Sequence, residues 1–215
     1  MPRKNLRLAG GIPLVGHAVT AARASRLIDR VVVSTDDQEI ADVARSFGAE
    51  VPFLRPPALA RDDAPELAAW RHALDTLEAD GQVRIDVLAS IPPTAPLRVP
   101  EDIDACIMEL TSSEADAVVT VTKAHRSPHF NMVALDNGRA RVLAPLAVSP
   151  GRRQDVPAAY DVTTVAYAAR PAYVRRATGI LDGHVRAVIV PHERALDIDT
   201  EHDLRVADLL LTAAR

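Results

Sequence analysis

RVVVSTDDQEIADVARSFGAEVPFL, residues 30–54, changes its period twice, and its reading decides the fold. RVVVS (30–34) is a short β-branched run of the kind that forms a buried strand. Acids then fill the first turn of an amphipathic helix, where the helix dipole favours them, and Gly48 supplies the stop. VPFL (51–54) completes the unit as a second short strand.

The alternation continues in both directions. IPLVGHAVTAARAS (12–25) carries Pro13 near its start and apolar residues at helical spacing, which predicts a helix. APELAAWRHALDTLEAD (64–80) places Leu67, Trp70, Leu74 and Leu77 on one helical face, and VRIDVLASI (83–91) follows as a strand. Beyond the loop PPTAPLRVP come helix EDIDACIMELTSS (101–113) and strand ADAVVTVT (115–122). In FNMVALDNGRARVLAP (130–145), Asn137-Gly138 between two short runs marks a hairpin. Strand AAYDVTTVAYAA (158–169), short helix RPAYVRRATG (170–179) and strand VRAVIVP (185–191) complete the pattern. Strands alternating with helices predict an α/β domain over 1–215 with a mainly parallel sheet flanked by helices. Residues 124–160 form an inserted hairpin region that breaks the regularity and is expected to serve dimerisation. No strand is expected before the first helix, since the chain opens with Met1-Pro2-Arg3-Lys4-Asn5.

Composition narrows the class. The 215 residues are 48% hydrophobic and 25% charged, enough for a sizeable core in one domain. A net charge of −4, with charges interspersed, argues against a nucleic-acid partner. No apolar run approaches the roughly 20 residues of a membrane span, and the N-terminus has no signal-like apolar stretch, so a cytoplasmic location is expected. The single cysteine, Cys106, excludes an internal disulfide and reads as a small buried hydrophobe. His125, His129 and His192 fit no zinc spacing and read as surface histidines.

ALDIDTEHDL (195–204) carries the chemistry. Asp197 and Asp199 flank Ile198, so on a strand both carboxylates would leave the same face. Thr200 and Asp203 have the spacing of a capping box at the start of the next helix. Two carboxylates on one face repel unless a cation stands between them, either a neighbouring Arg or a metal ion.

Taken together, PRKNLRLAGGIPLVGHAV, DRVVVSTDDQEIADVARSFGAEVPFLRP, PPTAPLR, RRQDVP and DIDTEHDL resemble the acylneuraminate cytidylyltransferases, in the same order and over nearly the whole chain. The resemblance implies a Rossmann-like nucleotidyltransferase fold, Mg²⁺ dependence and a homodimer. The reaction implied is attack by the anomeric hydroxyl of a nonulosonic acid on the α-phosphorus of CTP, with pyrophosphate released. Lys4 and Asn5 match a Lys-Asn pair that holds phosphate and nucleotide, and Arg55 matches an arginine beside the nucleotide. Arg153 matches an arginine near the sugar acid, where a guanidinium fork suits a carboxylate; Arg152 reads as its solvated neighbour. Asp197 and Asp199 match paired carboxylates for Mg²⁺, which takes one or two carboxylates and completes its shell with phosphates and water. Lys4, Arg153 and Asp199 are thus the expected catalytic set, acting through positioning and charge stabilisation. No residue stands out as a general base.

The departures are as informative as the matches. The family begins with a strand and a basic loop ending in Ser-Lys-Gly that wraps the triphosphate. This chain shows neither, so its start is expected to lie upstream or to have been truncated. Pro92, in the loop that also holds Thr94, stands where a glutamine meets the sugar, and Glu66 replaces a serine near the base. Asp161, in DVTT, stands where an arginine is expected, and a lysine of the middle region has no equivalent around Phe130 and Asn131. All four of these named positions (Glu66, Pro92, Thr94 and Asp161) are expected to face substrate. An acid in place of an arginine beside an anionic sugar predicts an amino-substituted or differently acylated ulosonic acid rather than N-acetylneuraminate. Two rival readings are a nucleotidyltransferase for another sugar acid or nucleotide, and a degenerate or truncated paralogue without catalysis.

Overall fold

A computed structural model describes residues 1–61, 63–79, 81–148 and 151–213, with Arg153 described by its backbone alone. Its centre is β4 (Ala117–Lys123), buried from Ala117 to Thr122. β7 (Tyr160–Ala169) lies antiparallel between β3 (Leu88–Ser90) and β4, and β8 (Val185–Ile189) runs parallel to β4 on the other side. β3, β4 and β8 therefore share one direction, and β7 reverses it. The reversal follows from the connection: the chain leaves β4, makes the hairpin excursion and returns beside β4 without a crossover helix.

Strand alternation sorts the core into two faces. Ala117, Val119, Val121 and Tyr167 meet Leu67, Trp70 and Leu74 of α3 (Glu66–Leu77) and Tyr173 and Val174 of α5 (Pro171–Arg176). Val118, Ala166 and Ala168 meet Ile103, Cys106 and Leu110 of α4 (Pro100–Thr111) and Ala21 of α1 (Leu14–Ala24). Fully burying a side chain such as Ile103 or Leu74 contributes about 1.5–3 kcal/mol. A bulge interrupts the β4–β7 register between Val119 and Val121. There the buried Thr120 hydroxyl donates to the Ala166 carbonyl at 3.0 Å and accepts from the Ala166 N–H at 3.1 Å and the Thr163 hydroxyl at 2.7 Å. A side-chain oxygen thus replaces the missing rungs.

α2 (Gln38–Ser46) starts at Asp37, whose side chain accepts from the Glu39 N–H at 2.8 Å, and it stops at Gly48 in the left-handed region, φ 90°. The strands expected on either side of it do not form. Residues 31–33 and 50 make one parallel bridge, through Val33 N–H to the Glu50 carbonyl and Glu50 N–H to the Val31 carbonyl. The next rung would need an N–H from residue 52, and Pro52 has none. The strand expected over 83–91 is likewise confined to 88–90.

A ribbon also precedes the first helix, contrary to expectation. β1 (Leu8–Ala9) and β2 (Ile12–Pro13) pair across Gly10-Gly11, whose φ values of 55° and 76° make a turn that glycine adopts without strain. α6 (Glu201–Ala213) packs on this ribbon, with Leu204 and Ala207 against Ala9, Leu14 and Ile198. The Gly10 N–H donates to Asp208 at 2.8 Å. The Asn137-Gly138 hairpin forms as read: β5 (Val133–Asp136) and β6 (Arg139–Val142) make a separate two-stranded sheet, exposed throughout, with both turn residues at positive φ. No helix among the described residues is long and apolar enough to cross a membrane.

Candidate active site

Ligands in open α/β sheets collect beyond the carboxyl ends of the parallel strands. At that edge β3 runs into Pro92 and Thr94, β7 begins at Tyr160 and Asp161, and β8 runs into the segment that carries Asp197 and Asp199. Arg98, only 6% exposed, ties this edge together. Its guanidinium donates to the carbonyls of Val165 at 2.8 Å and Thr164 at 3.0 Å, and also to that of Pro92. Thr94 is fixed twice, by its hydroxyl to Thr164 at 3.2 Å and by its carbonyl, which accepts the Ile198 N–H at 2.8 Å.

That last bond seats the acidic pair. Residues 195–199 form no strand, but Ile198 is fully buried and its flanking carboxylates are held by it. Behind them the predicted capping box forms: Asp203 accepts from the Thr200 N–H and hydroxyl, both at 2.7 Å, and donates its own N–H to the Thr200 hydroxyl at 3.2 Å. These contacts, the Thr200 hydroxyl foremost, hold the Asp203 carboxyl below its ordinary pKa.

The cation beside Asp199 is a lysine. Lys4 Nζ, in the short turn Lys4–Leu6, lies 3.1 Å from Asp199 Oδ1. Asn5 is half-buried in the same turn. Asp197 differs: its Oδ1 is buried with no hydrogen-bond partner. Arg98 is near enough to feel the Asp197 charge, and one of its own nitrogens, Nη1, is also buried without a partner. A buried carboxylate oxygen left open in this way is costly without a ligand. Among the described residues no group of three or more His, Cys, Asp and Glu could hold a metal. Two carboxylates such as those of Asp197 and Asp199 suit a hard divalent ion that also takes phosphate and water, and do not suit zinc.

A second polar group lies between α3 and β7. Ser90 hydroxyl is 3.4 Å from Glu66, and Tyr167, opposite Ser90, packs on Trp70 with ring centroids 5.8 Å apart. Burial, then Glu66 and then Asp197 push the Tyr167 phenol up to about 12. Glu66 is solvent-accessible as a residue, yet the protein around its carboxyl raises its pKa by desolvation, against the Ser90 and Trp70 hydrogen bonds.

Arg55 is tethered by its N–H to the Thr35 carbonyl at 2.8 Å, and its Nε is buried without a partner. Asp161 is exposed on β7 opposite Thr122. The Arg153 side chain lies outside the described residues; its neighbour Arg152 pairs with Asp155 at 3.2 Å. His125 and His192 are exposed, as read from the sequence, with their Nε2 atoms 3.1 Å apart, and His129 is half-buried with Nδ1 2.7 Å from the Ala144 carbonyl. Arg98 and Tyr167 were not singled out from sequence. Arg98 stands inside PPTAPLR, and Tyr167 is the polar-tipped residue of an otherwise small and apolar strand end, the available signals for both.

The chain is 28% identical over 208 residues to "Post-translational flagellin modification protein B" of Campylobacter coli, covering 97% of this chain and 88% of that protein. It is 28% identical over 209 residues to the CMP-N,N'-diacetyllegionaminic acid synthase of Campylobacter jejuni, with the same coverage, 97% and 88%. Among solved structures, a CMP:2-keto-3-deoxy-manno-octonic acid synthetase complexed with CTP superposes with a TM-score of 0.74 at 14% identity, covering 100% of this chain and 94% of that one. The cytidylyltransferase family profile matches residues 1–171. The chain therefore belongs to the cytidylyltransferase family, and its likeness to the diacetyllegionaminate and N-acylneuraminate enzymes extends along nearly its whole length.

Proposed function

We propose that this cytidylyltransferase moves CMP from CTP to the anomeric hydroxyl of a nonulosonic acid. The hydroxyl oxygen forms a bond to the α-phosphorus, the bond from that phosphorus to the pyrophosphoryl oxygen breaks, and the hydroxyl proton passes to solvent. The observation that carries this reading is the acidic pair at the carboxyl edge of the sheet, with one oxygen of Asp197 buried and without a hydrogen-bond partner and the Asp199 carboxylate beside Lys4.

Asp197 and Asp199 would hold Mg²⁺, which when bound supplies charge neutralisation for the triphosphate and the leaving pyrophosphate. Lys4 and Arg55 offer cationic groups to the phosphates, Asn5 a polar side chain beside Lys4, and Arg153 a fork for the sugar carboxylate. Pro92 and Thr94 are set by Arg98 and Thr164 to line the acceptor side. Asp161, an exposed acid where the resemblance implies an arginine, favours a sugar acid with an amino or altered acyl substituent, and the diacetyllegionaminate relative supports that class. A cytoplasmic location fits the need for CTP. The hairpin exposes Val133, Leu135 and the nearby Val148, with Leu135 74% exposed, which supports a homodimer formed through this arm.

The test is pyrophosphate release from CTP with Mg²⁺ and a panel of nonulosonic acids, N-acetylneuraminate included. A diamino or altered-acyl acid should be used best, UTP should replace CTP poorly, and Asp199→Asn should lower turnover on the order of 10²-fold. Release with no member of the panel would sink the reading in favour of a non-catalytic relative, and a clear preference for N-acetylneuraminate would sink the substrate class.

A further inference from the structure

Lys4 and Asp199 are asymmetric partners. The Lys4 side chain is 28% exposed, whereas that of Asp199 is 72% exposed. The Asp199 backbone is pinned, since its N–H donates to Asp203 at 3.2 Å and its neighbour Ile198 is buried. The carboxylate itself faces solvent except where Lys4 meets it. Arg7, the nearby cation, is engaged with Glu201 at 2.7 Å. A solvent-exposed ion pair is weak and readily exchanged. A divalent ion that engages both Asp199 and Asp197, whose buried Oδ1 lacks a hydrogen-bond partner, gains two carboxylates where the lysine holds only one.

We propose that Lys4 is a displaceable cation: it occupies Asp199 when no divalent ion is present and is released toward an anionic ligand when one binds. The proposal rests on the divalent-ion reading of the acidic pair given above. Binding of the cation and of a phosphate-bearing ligand is then coupled through one side chain. The cation frees Lys4 for the anion, the anion draws Lys4 off Asp199, and linkage requires both effects to be equal.

The test is Mn²⁺ binding to the full chain without nucleotide, at neutral pH and low ionic strength, read from the electron paramagnetic resonance of the free ion. Removing the competing ammonium in Lys4→Met should tighten Mn²⁺ binding about two- to fivefold, the range set by an exposed ion pair. Lys4→Arg, which keeps a cation on Asp199, should stay within about twofold of wild type. Arg7→Met removes a neighbouring charge without freeing Asp199 and should tighten binding less than Lys4→Met. Asp197→Asn should weaken it at least about tenfold. Unchanged or weaker binding in Lys4→Met overturns the exchange, as does equal tightening in Arg7→Met, which would mark a general field effect. Loss of binding in Asp197→Asn with indifference to Lys4 overturns the exchange alone. Absence of Mn²⁺ binding to wild type overturns the divalent-ion reading as well.

Discussion

Arg194 grips Asp102 with two parallel hydrogen bonds, Nη2 to Oδ1 and Nε to Oδ2, each 2.9 Å. Asp102 is 4% exposed and also accepts the Val99 N–H at 3.1 Å, capping α4. The pair clamps the turn 192–194 to that helix, and the same strand of chain then carries Asp197 and Asp199. Arg194→Ala leaves a buried carboxylate without its cation. Discounted for the partly exposed Arg194, the expected loss is about 2 kcal/mol, measured by urea denaturation. Activity should fall by more than stability explains, because the clamp holds the segment that leads into the acidic pair. An unchanged urea midpoint would show that the clamp is idle.

Gly48 ends α2 at φ 90°, and a Cβ there would strike the Arg23 guanidinium that bonds the Phe47 carbonyl. Gly48→Ala should therefore destabilise by about 1–2 kcal/mol, the ordinary cost of a left-handed non-glycine residue. Thermal unfolding followed by circular dichroism reads this directly; a melting temperature equal to wild type contradicts it.

Cys106 is 1% exposed against β7, and burial pushes its thiol up to about 12. The thiolate is the reactive form, so the folded protein should resist a disulfide reagent at neutral pH and release one equivalent of thiol only when unfolded. Rapid native labelling would mean that α4 opens locally.

Acid should weaken the fold below about pH 4. The carboxyls of Asp116, held by the His184 N–H and then Arg176, of Glu78, held by the Ile85 N–H and then Arg175, and of Asp203 all lie below their ordinary values. Each contributes stability that is complete above the unfolded pKa and is lost as pH falls through the folded one. The urea midpoint should hold between pH 7 and 5 and drop toward pH 3. Asp203→Asn should lower it at pH 7 and narrow the drop. A midpoint flat to pH 3 would contradict the argument.

Local signals in the sequence translated well. The acids at the start of α2, Gly48 after it, Asn137-Gly138 and the Thr200–Asp203 box are each decided within a few residues, and each forms. The strands around α2 failed because β-branched residues 31–33 promise a ladder that Pro52, on the partner segment, cannot continue. The N-terminal ribbon was legible in Gly10-Gly11, but Leu8-Ala9 and Ile12-Pro13 are too short to register as strands. The reversed direction of β7 is a property of connections and not of its composition. At the site, the resemblance supplied the individual residues, while the grip of Arg98 on three carbonyls and the meeting of Lys4 with Asp199 depend on contacts between distant segments that no local pattern encodes.

The Lys4–Asp199 contact joins positions 195 residues apart. During synthesis Asp199 emerges long after Lys4, once every strand of the central sheet has been made. The growing chain thus carries Lys4 through most of translation without the carboxylate it pairs with. The pair forms in one late step, when α6 docks on the Gly10-Gly11 ribbon, so a chain ended before residue 199 lacks it however well its sheet has formed.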